Sequence, residues 1–186
     1  MDATLALVAQ HRVIEGLFDE VAYEARRRAR SCLVSRLAEE LIAHLAAEEA
    51  VFYPAVRRVL EASPDAGGPD RDEHFFLRIE LRSVLKTTVG DPSFDERIAA
   101  LRALFAEHVR SEEAELFPRV VRAVSEAQRH ALGAEILASR PHVWIVTTEG
   151  KTAIDASGEW ALRSRVSLLL GAASAEAHDR AERSLH

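Results

Sequence analysis

Two stretches of this chain carry a histidine and a glutamate at the same spacing. His44 and Glu48 stand four apart within AHLAAEEAVFYPAV, residues 43–56, and His108 and Glu112 stand four apart within EHVRSEEAELFPRV, residues 107–120. The second copy follows the first by 64 positions, and the match extends to Glu-Glu-Ala, to Tyr53 against Phe117 and to Pro54 against Pro118. That spacing alone stabilises any helix, and His11–Glu15 and His178–Glu182 share it. What sets the doubled pair apart is its register with the apolar residues. Val34, Leu37, Leu41, His44, Glu48 and Val51 step by threes and fours, as do Ile98, Leu101, Phe105, His108 and Glu112, so both carboxylates belong to an apolar helical stripe. Burying an ionised carboxylate costs on the order of several kcal/mol unless it is paired or bound to a metal. Burying it at two equivalent places calls for a shared cation.

The remaining segments supply matching imidazoles. Leu7, His11, Ile14, Phe18 and Val21 form one stripe and His74, Leu77, Leu81 and Val84 another, with a constant offset of 63 from His11 to His74, Ile14 to Leu77, Phe18 to Leu81 and Val21 to Val84. The chain therefore reads as a helical hairpin written twice, with one inward histidine on each helix. Candidate metal ligands are His11, His44, Glu48, His74, His108 and Glu112. Imidazole with carboxylate suits iron, manganese or zinc. Ferritin-like di-iron bundles carry Glu-x-x-His, the reverse of the order here.

Positioning these residues requires long helices, and the sparse glycines and prolines permit them. SPDAGGPD at 63–70 and VGDPS at 89–93 are the main interruptions before residue 124. Helices are expected near 3–29, 32–61, 70–88 and 94–124, with a turn at Arg30–Ser31 joining the first two. The predicted fold is all-α, an antiparallel up-down four-helix bundle over residues 1–124. Pro54 and Pro118 fall inside predicted helices and should kink them equally. Residues 125–186 are a C-terminal extension, expected to pack on the bundle or to mediate dimerisation. Its elements are a fifth helix with Ser125 as N-cap, an extended HVWIVTT segment turning at Glu149–Gly150–Lys151, and a helical pattern over 159–183 with Trp160, Val166, Leu169 and Ala173 on one side. His130, His142, His178 and His186 belong to this extension and receive no ligand role.

Composition narrows the function classes. A single cysteine, Cys32, excludes an internal disulfide framework, and no run is apolar enough to span a bilayer, so a soluble, reducing, cytoplasmic setting is expected. A net charge of -6 argues against a nucleic-acid partner, since phosphate backbones are bound mainly by clustered cations. Arg26, Arg27, Arg28 and Arg30 form the one basic run and read as a solvated helix end, where cations meet the negative end of the dipole.

His11, His44-x3-Glu48, His74 and His108-x3-Glu112, with Glu-Glu and an aromatic-Pro pair in both copies, resemble the hemerythrin HHE cation-binding family. The resemblance covers about residues 3–124 and implies two irons per chain, oxo- or hydroxo-bridged. It implies His11 and His44 on one iron, His74 and His108 on the other, and Glu48 and Glu112 bridging. Oxygen-carrying members have a second histidine one turn after the third-helix ligand, where this chain has Arg78. Four imidazoles and two bridging carboxylates then leave about four of the twelve positions of two octahedral ions open, two of which a bridging oxygen would take. Open positions favour a catalase-like or ferroxidase-like oxidoreductase acting on peroxide or oxygen, with no catalytic residue beyond the ligands. The alternative is a non-catalytic module that binds, senses or stores oxygen, nitric oxide or iron, as a monomer or homodimer. Glu15, at the repeat position of Arg78, reads as an exposed carboxylate, and Tyr53 reads as packing because the repeat has Phe117 there.

Overall fold

A computed structural model describes residues 1–60, 71–139 and two short strands; the segment 61–70, much of the extension and its 159–183 pattern lie outside the described residues. Asp2 begins the first helix. Its Oδ1 accepts from the Thr4 amide at 2.9 Å and caps α1 (Ala3–Tyr23). Helix α2 (Arg27–Ala47) returns beside it, and the turn between them falls at Glu24–Arg26, earlier than Arg30–Ser31. No glycine or proline marks this turn. It is held instead by the Glu24 carboxylate, which accepts from the Arg26 amide at 2.8 Å and from the Arg26 guanidinium at 2.8 and 3.0 Å. The basic run thus lies at the start of α2, not at the carbonyl end of a helix. Arg30 alone reaches such an end: its Nε donates to Val21 O at 2.8 Å while its guanidinium pairs with Asp95 and lies 5.0 Å over Phe94.

The second and fourth bundle helices each pass through one wide turn. After α2 the chain runs through a π-turn at Glu48–Phe52 into α3 (Tyr53–Leu60). The third helix, α4 (Arg71–Lys86), leads through a turn with Gly90 at φ 96° into α5 (Phe94–Ser111), a second π-turn at Glu112–Leu116 and α6 (Phe117–Ala123). Pro54 and Pro118, where kinks are expected, each follow one of these π-turns. Proline has no amide hydrogen and its ring crowds the carbonyl four residues back, and widening the turn before it relieves both. In consequence Tyr53 N–H donates to Glu48 O and Phe117 N–H to Glu112 O, five residues back. Residues 53 and 117 are thereby brought over the two carboxylates.

The result is an all-α antiparallel four-helix bundle, and every stripe residue named from the sequence is buried, the most exposed being Val51 at 8%. Two apolar layers sandwich a polar one. Phe18, Leu41, Leu81, Leu101 and Phe105 centre the first layer, and Leu7, Phe52, Val56, Phe117, Val120 and Ile136 the second. In sequence His11, and the pairs His44–Glu48 and His108–Glu112, stand where their helices pass from one layer to the other, and His74 stands one turn before the first-layer residues Leu77, Leu81 and Val84.

Ser125 and Gln128 form a reciprocal capping box that starts α7 (Glu126–Ala138). This helix packs against the beginning of α1. A Cβ at Gly133 would lie 2.2 Å from Met1 O, and Arg129 Nε donates to Asp2 Oδ2 at 2.6 Å. Beyond it, β1 (Trp144–Thr148) and β2 (Lys151–Asp155) pair antiparallel from Trp144↔Asp155 to Thr148↔Lys151, an extended hairpin where the β-branched run stands. Among the described residues, no helix is long and apolar enough to cross a membrane.

Candidate metal centre

Each bundle helix delivers its histidine to one buried point. His11, His44, Glu48, His108 and Glu112 each offer a donor atom within 4.8 Å of all the others. His74 joins them through Glu48, whose Oε2 lies 3.2 Å from its Nε2. All six residues are at most 3% exposed. The rings fall into two pairs, with centroids 4.8 Å apart for His11–His44 and 5.0 Å for His74–His108, against 5.6 Å for His44–His108. Both carboxylates span the pairs. Glu48 places Oε1 3.2 Å from His44 Nε2 and Oε2 3.2 and 3.5 Å from His74 and His108. Glu112 places Oε2 3.3 Å from His11 Nε2 and 3.7 Å from His108 Nε2.

The outer nitrogens settle which face of each ring looks inward. Every Nδ1 has an acceptor: Glu113 at 2.9 Å for His11, Gln10 at 3.0 Å for His44, Glu49 at 2.9 Å for His74 and Glu73 at 3.3 Å for His108. With the hydrogens on Nδ1, all four Nε2 lone pairs point at one another and at the carboxylates. In that neutral form His44 Nε2 and His108 Nε2, 3.4 Å apart, are two acceptors with no hydrogen between them. His11 Nε2, both oxygens of Glu48 and Glu112 Oε2 are buried without a hydrogen-bond partner. Buried polar atoms are rarely left so. Inward lone pairs, outward tethers and unpartnered carboxylate oxygens are the donor arrangement that a bound cation satisfies.

The charges point the same way. Burial opposes ionisation of Glu48, but His44 and His108 outweigh it and hold the carboxyl well below its usual range. Burial and the Glu48 charge together push Glu112 up to about 7. Burial takes His44 down to about 3; the same burial is overcome at His108, where Glu48, Glu73 and Glu112 raise it to about 10. Such opposed shifts arise where several titratable groups are crowded together out of water, so that each titrates against the charges of its neighbours.

The family model of the hemerythrin HHE cation-binding domain matches residues 2–120. This chain belongs to that family. The fold agrees with a crystal structure of a hemerythrin HHE cation-binding domain-containing protein from Mycobacterium kansasii, at TM-score 0.62 and 22% identity over 74% of this chain and 84% of that one. A protein of Nostoc sp. named DNA nickase is 26% identical over 137 residues, 72% of this chain, and the chain spans 37% of its length. As an HHE domain with a buried His/Glu cluster, this is a metal-binding module.

Within that HHE frame, two residues differ from or extend the sequence reading. Arg78 stands where a fifth histidine would be and forks onto Glu49 at 2.5 and 2.8 Å, holding the carboxylate that tethers His74. Tyr53 packs in the second apolar layer, as expected, and has a further role: its hydroxyl donates to Glu112 Oε1 at 2.8 Å and lies 3.1 Å from His74 Nε2. Phe117, its repeat partner, instead stacks on the His11 ring, 6° from parallel at 6.0 Å. Glu15 pairs with Arg12 on the surface, as expected of a helix-flank carboxylate. His130 is also exposed, near Glu126; His142, His178 and His186 lie outside the described residues. The tethers were missed in sequence, although a signal existed: Glu49 and Glu113 are the second glutamates of the repeated Glu-Glu-Ala, and Gln10 and Glu73 directly precede His11 and His74.

Proposed function

We propose that this HHE protein holds two irons and acts on peroxide or oxygen as a catalase-like or ferroxidase-like oxidoreductase. His11 and His44 would hold one ion and His74 and His108 the other, with Glu48 and Glu112 shared between them. The observation that carries this reading is the convergence of four tethered imidazoles on two unpartnered carboxylates, with Arg78 turned onto Glu49 where a fifth imidazole would stand. Bound irons would supply electrons to one small oxygen species and recover them from a second peroxide or from ferrous ion. The chain's residues do the rest. Carboxylate tethers at Glu49, Glu73 and Glu113 keep the imidazoles oriented, and the Phe105 and Phe117 rings wall the cluster with apolar surface. Tyr53 holds a proton between Glu112 and His74; burial and the two carboxylates raise its pKa, so it stays a phenol able to donate to a small oxygen species.

Full burial of the cluster also suits a second reading, a reversible binding module for oxygen, nitric oxide or iron in a site closed to larger molecules. The nickase name belongs to a much longer protein, and a net charge of -6 disfavours carrying it over. Quantifying iron per chain and following oxygen evolution from peroxide tests the proposal. Two irons with steady turnover, slowed in Arg78→His, support it; a stable reversible oxygen adduct with no peroxide consumption moves the protein to the second reading.

A further inference from the structure

The internal repeat makes the two halves of the centre each other's control, so every difference between them carries information. The tethers of His11 and His74, Glu113 and Glu49, match one another 64 positions apart, and each is held by an arginine, Arg12 or Arg78, from a non-equivalent position. The tethers of His44 and His108 do not match. His108 is held by a carboxylate, Glu73, and His44 by an amide, Gln10, its counterpart 63 positions earlier.

The chemistry of the two tethers differs in kind. A carboxylate only accepts, so it fixes the Nδ1–H tautomer, commits the Nε2 lone pair inward and raises the basicity of the ring. An amide is neutral and can accept or donate from the same stem, so it does neither as firmly. Gln10 is 8% exposed and its Nε2 has no hydrogen-bond partner, so no neighbour fixes its orientation from the far side. A second difference lies on the same axis. The Tyr53 oxygen stands beside His74, whereas the corresponding place beside His11 is filled by the Phe117 ring. The His74/His108 side thus has two carboxylate tethers and a nearby phenol oxygen; the His11/His44 side has one carboxylate tether and a hydrocarbon face.

We propose that the two metal positions are unequal, the His74/His108 position being filled first and emptied last, and that Gln10 is the positioning residue that keeps the His11/His44 position exchangeable. This rests on the two-ion reading above. It makes a half-loaded form the resting state wherever metal is scarce, and makes the His11/His44 ion the one gained and lost as supply changes.

Titrating the full-length apoprotein with Co²⁺ alone, by calorimetry and visible absorption, tests it. Wild type is expected to fill in two steps at least about 10-fold apart, with His74→Ala abolishing the tight step and His44→Ala the weak one. Removing an outer partner weakens a metal site about 10- to 100-fold; Glu73 is 28% exposed at its side chain, which favours the lower end. Glu73→Gln should therefore weaken the tight step about 10-fold and bring the two steps together. Gln10→Glu should strengthen the weak step by a similar factor, which a merely structural role for residue 10 would not produce. The double exchange should restore two steps in the opposite order. Two equal steps in wild type would overturn the inequality, and an unmoved weak step in Gln10→Glu would overturn the role of Gln10; either result leaves the two-ion reading standing. Binding that ignores all six inner residues would overturn both.

Discussion

Replacing Tyr53 by Phe removes one oxygen and makes that half of the centre like the half with Phe117. In the metal-free protein the hydroxyl is the hydrogen-bond donor to Glu112 Oε1, at 2.8 Å, while Oε2 of the same carboxylate already has none. A buried hydrogen bond to a charged group contributes about 1.5–3 kcal/mol. Glu112 is pushed up to about 7, so it is only partly ionised at neutral pH. The lower end then applies at neutral pH, and about 1.5 kcal/mol is expected for the apoprotein, a fall in Tm of about 3–6 °C for a chain of this size. Loaded protein should lose less, because a cation on Glu112 replaces the lost donor. Urea unfolding of apo and loaded forms, wild type against Tyr53→Phe, measures both. An apoprotein change below about 0.5 kcal/mol, or a larger loss in the loaded form, would refute the assignment of this hydroxyl to Glu112; a visible absorption band of the loaded protein that vanishes in the variant would place the oxygen on the ion instead.

Metal at 100 times its dissociation constant should raise stability by about 2.7 kcal/mol, with chelation reversing it, because binding occupies the unpartnered atoms of His11, Glu48 and Glu112; a melting temperature indifferent to chelator would contradict the site. Gly133→Ala should destabilise by about 1–3 kcal/mol through overpacking, since its Cβ would meet Met1 O at 2.2 Å; thermal melts with no shift would show that α7 does not press on α1. For Asp2, burial opposes ionisation, but Arg129 and Thr4 outweigh it and lower its pKa, so its contribution is present above about pH 4 and is lost as pH falls through the folded value. Asp2→Asn keeps a helix cap and should cost about 1 kcal/mol at pH 7, the difference from wild type shrinking in acid; a constant difference from pH 7 to pH 3 would reject the charge as its source.

The bundle was legible because its signal is repeated and periodic. Each stripe predicts a buried face from threes and fours, and Leu7 through Val84 obey it without exception. The α1–α2 turn was misplaced for the opposite reason. Neither glycine nor proline stands between Ala25 and Leu33, and the break at Glu24–Arg26 is made by a carboxylate folding back onto an amide two residues on. Such a turn competes with a helix only through side-chain chemistry available to many sequences, so spacing alone does not find it.

The inner residues of the centre were legible from register, whereas Tyr53 was lost to one assumption about helices. An α-helix advances 100° per residue, so position 53 would stand well around from Glu48 and the equivalence with Phe117 suggested packing for both. The π-turns change that relation by bonding residues 53 and 117 to the carbonyls of Glu48 and Glu112. Both aromatic rings then come over the carboxylates, and one atom decides their roles: the oxygen of Tyr53 reaches Glu112, and the ring of Phe117 covers His11. Pro54 and Pro118 were the visible trace of the wide turns. A proline within an otherwise helical pattern, six residues after a buried carboxylate as at Pro54 and Pro118, is therefore evidence about which side chain faces the cluster. The same repeat that hid Tyr53 behind Phe117 exposes Gln10 against Glu73, so its departures from symmetry are the places where the two metal positions can differ.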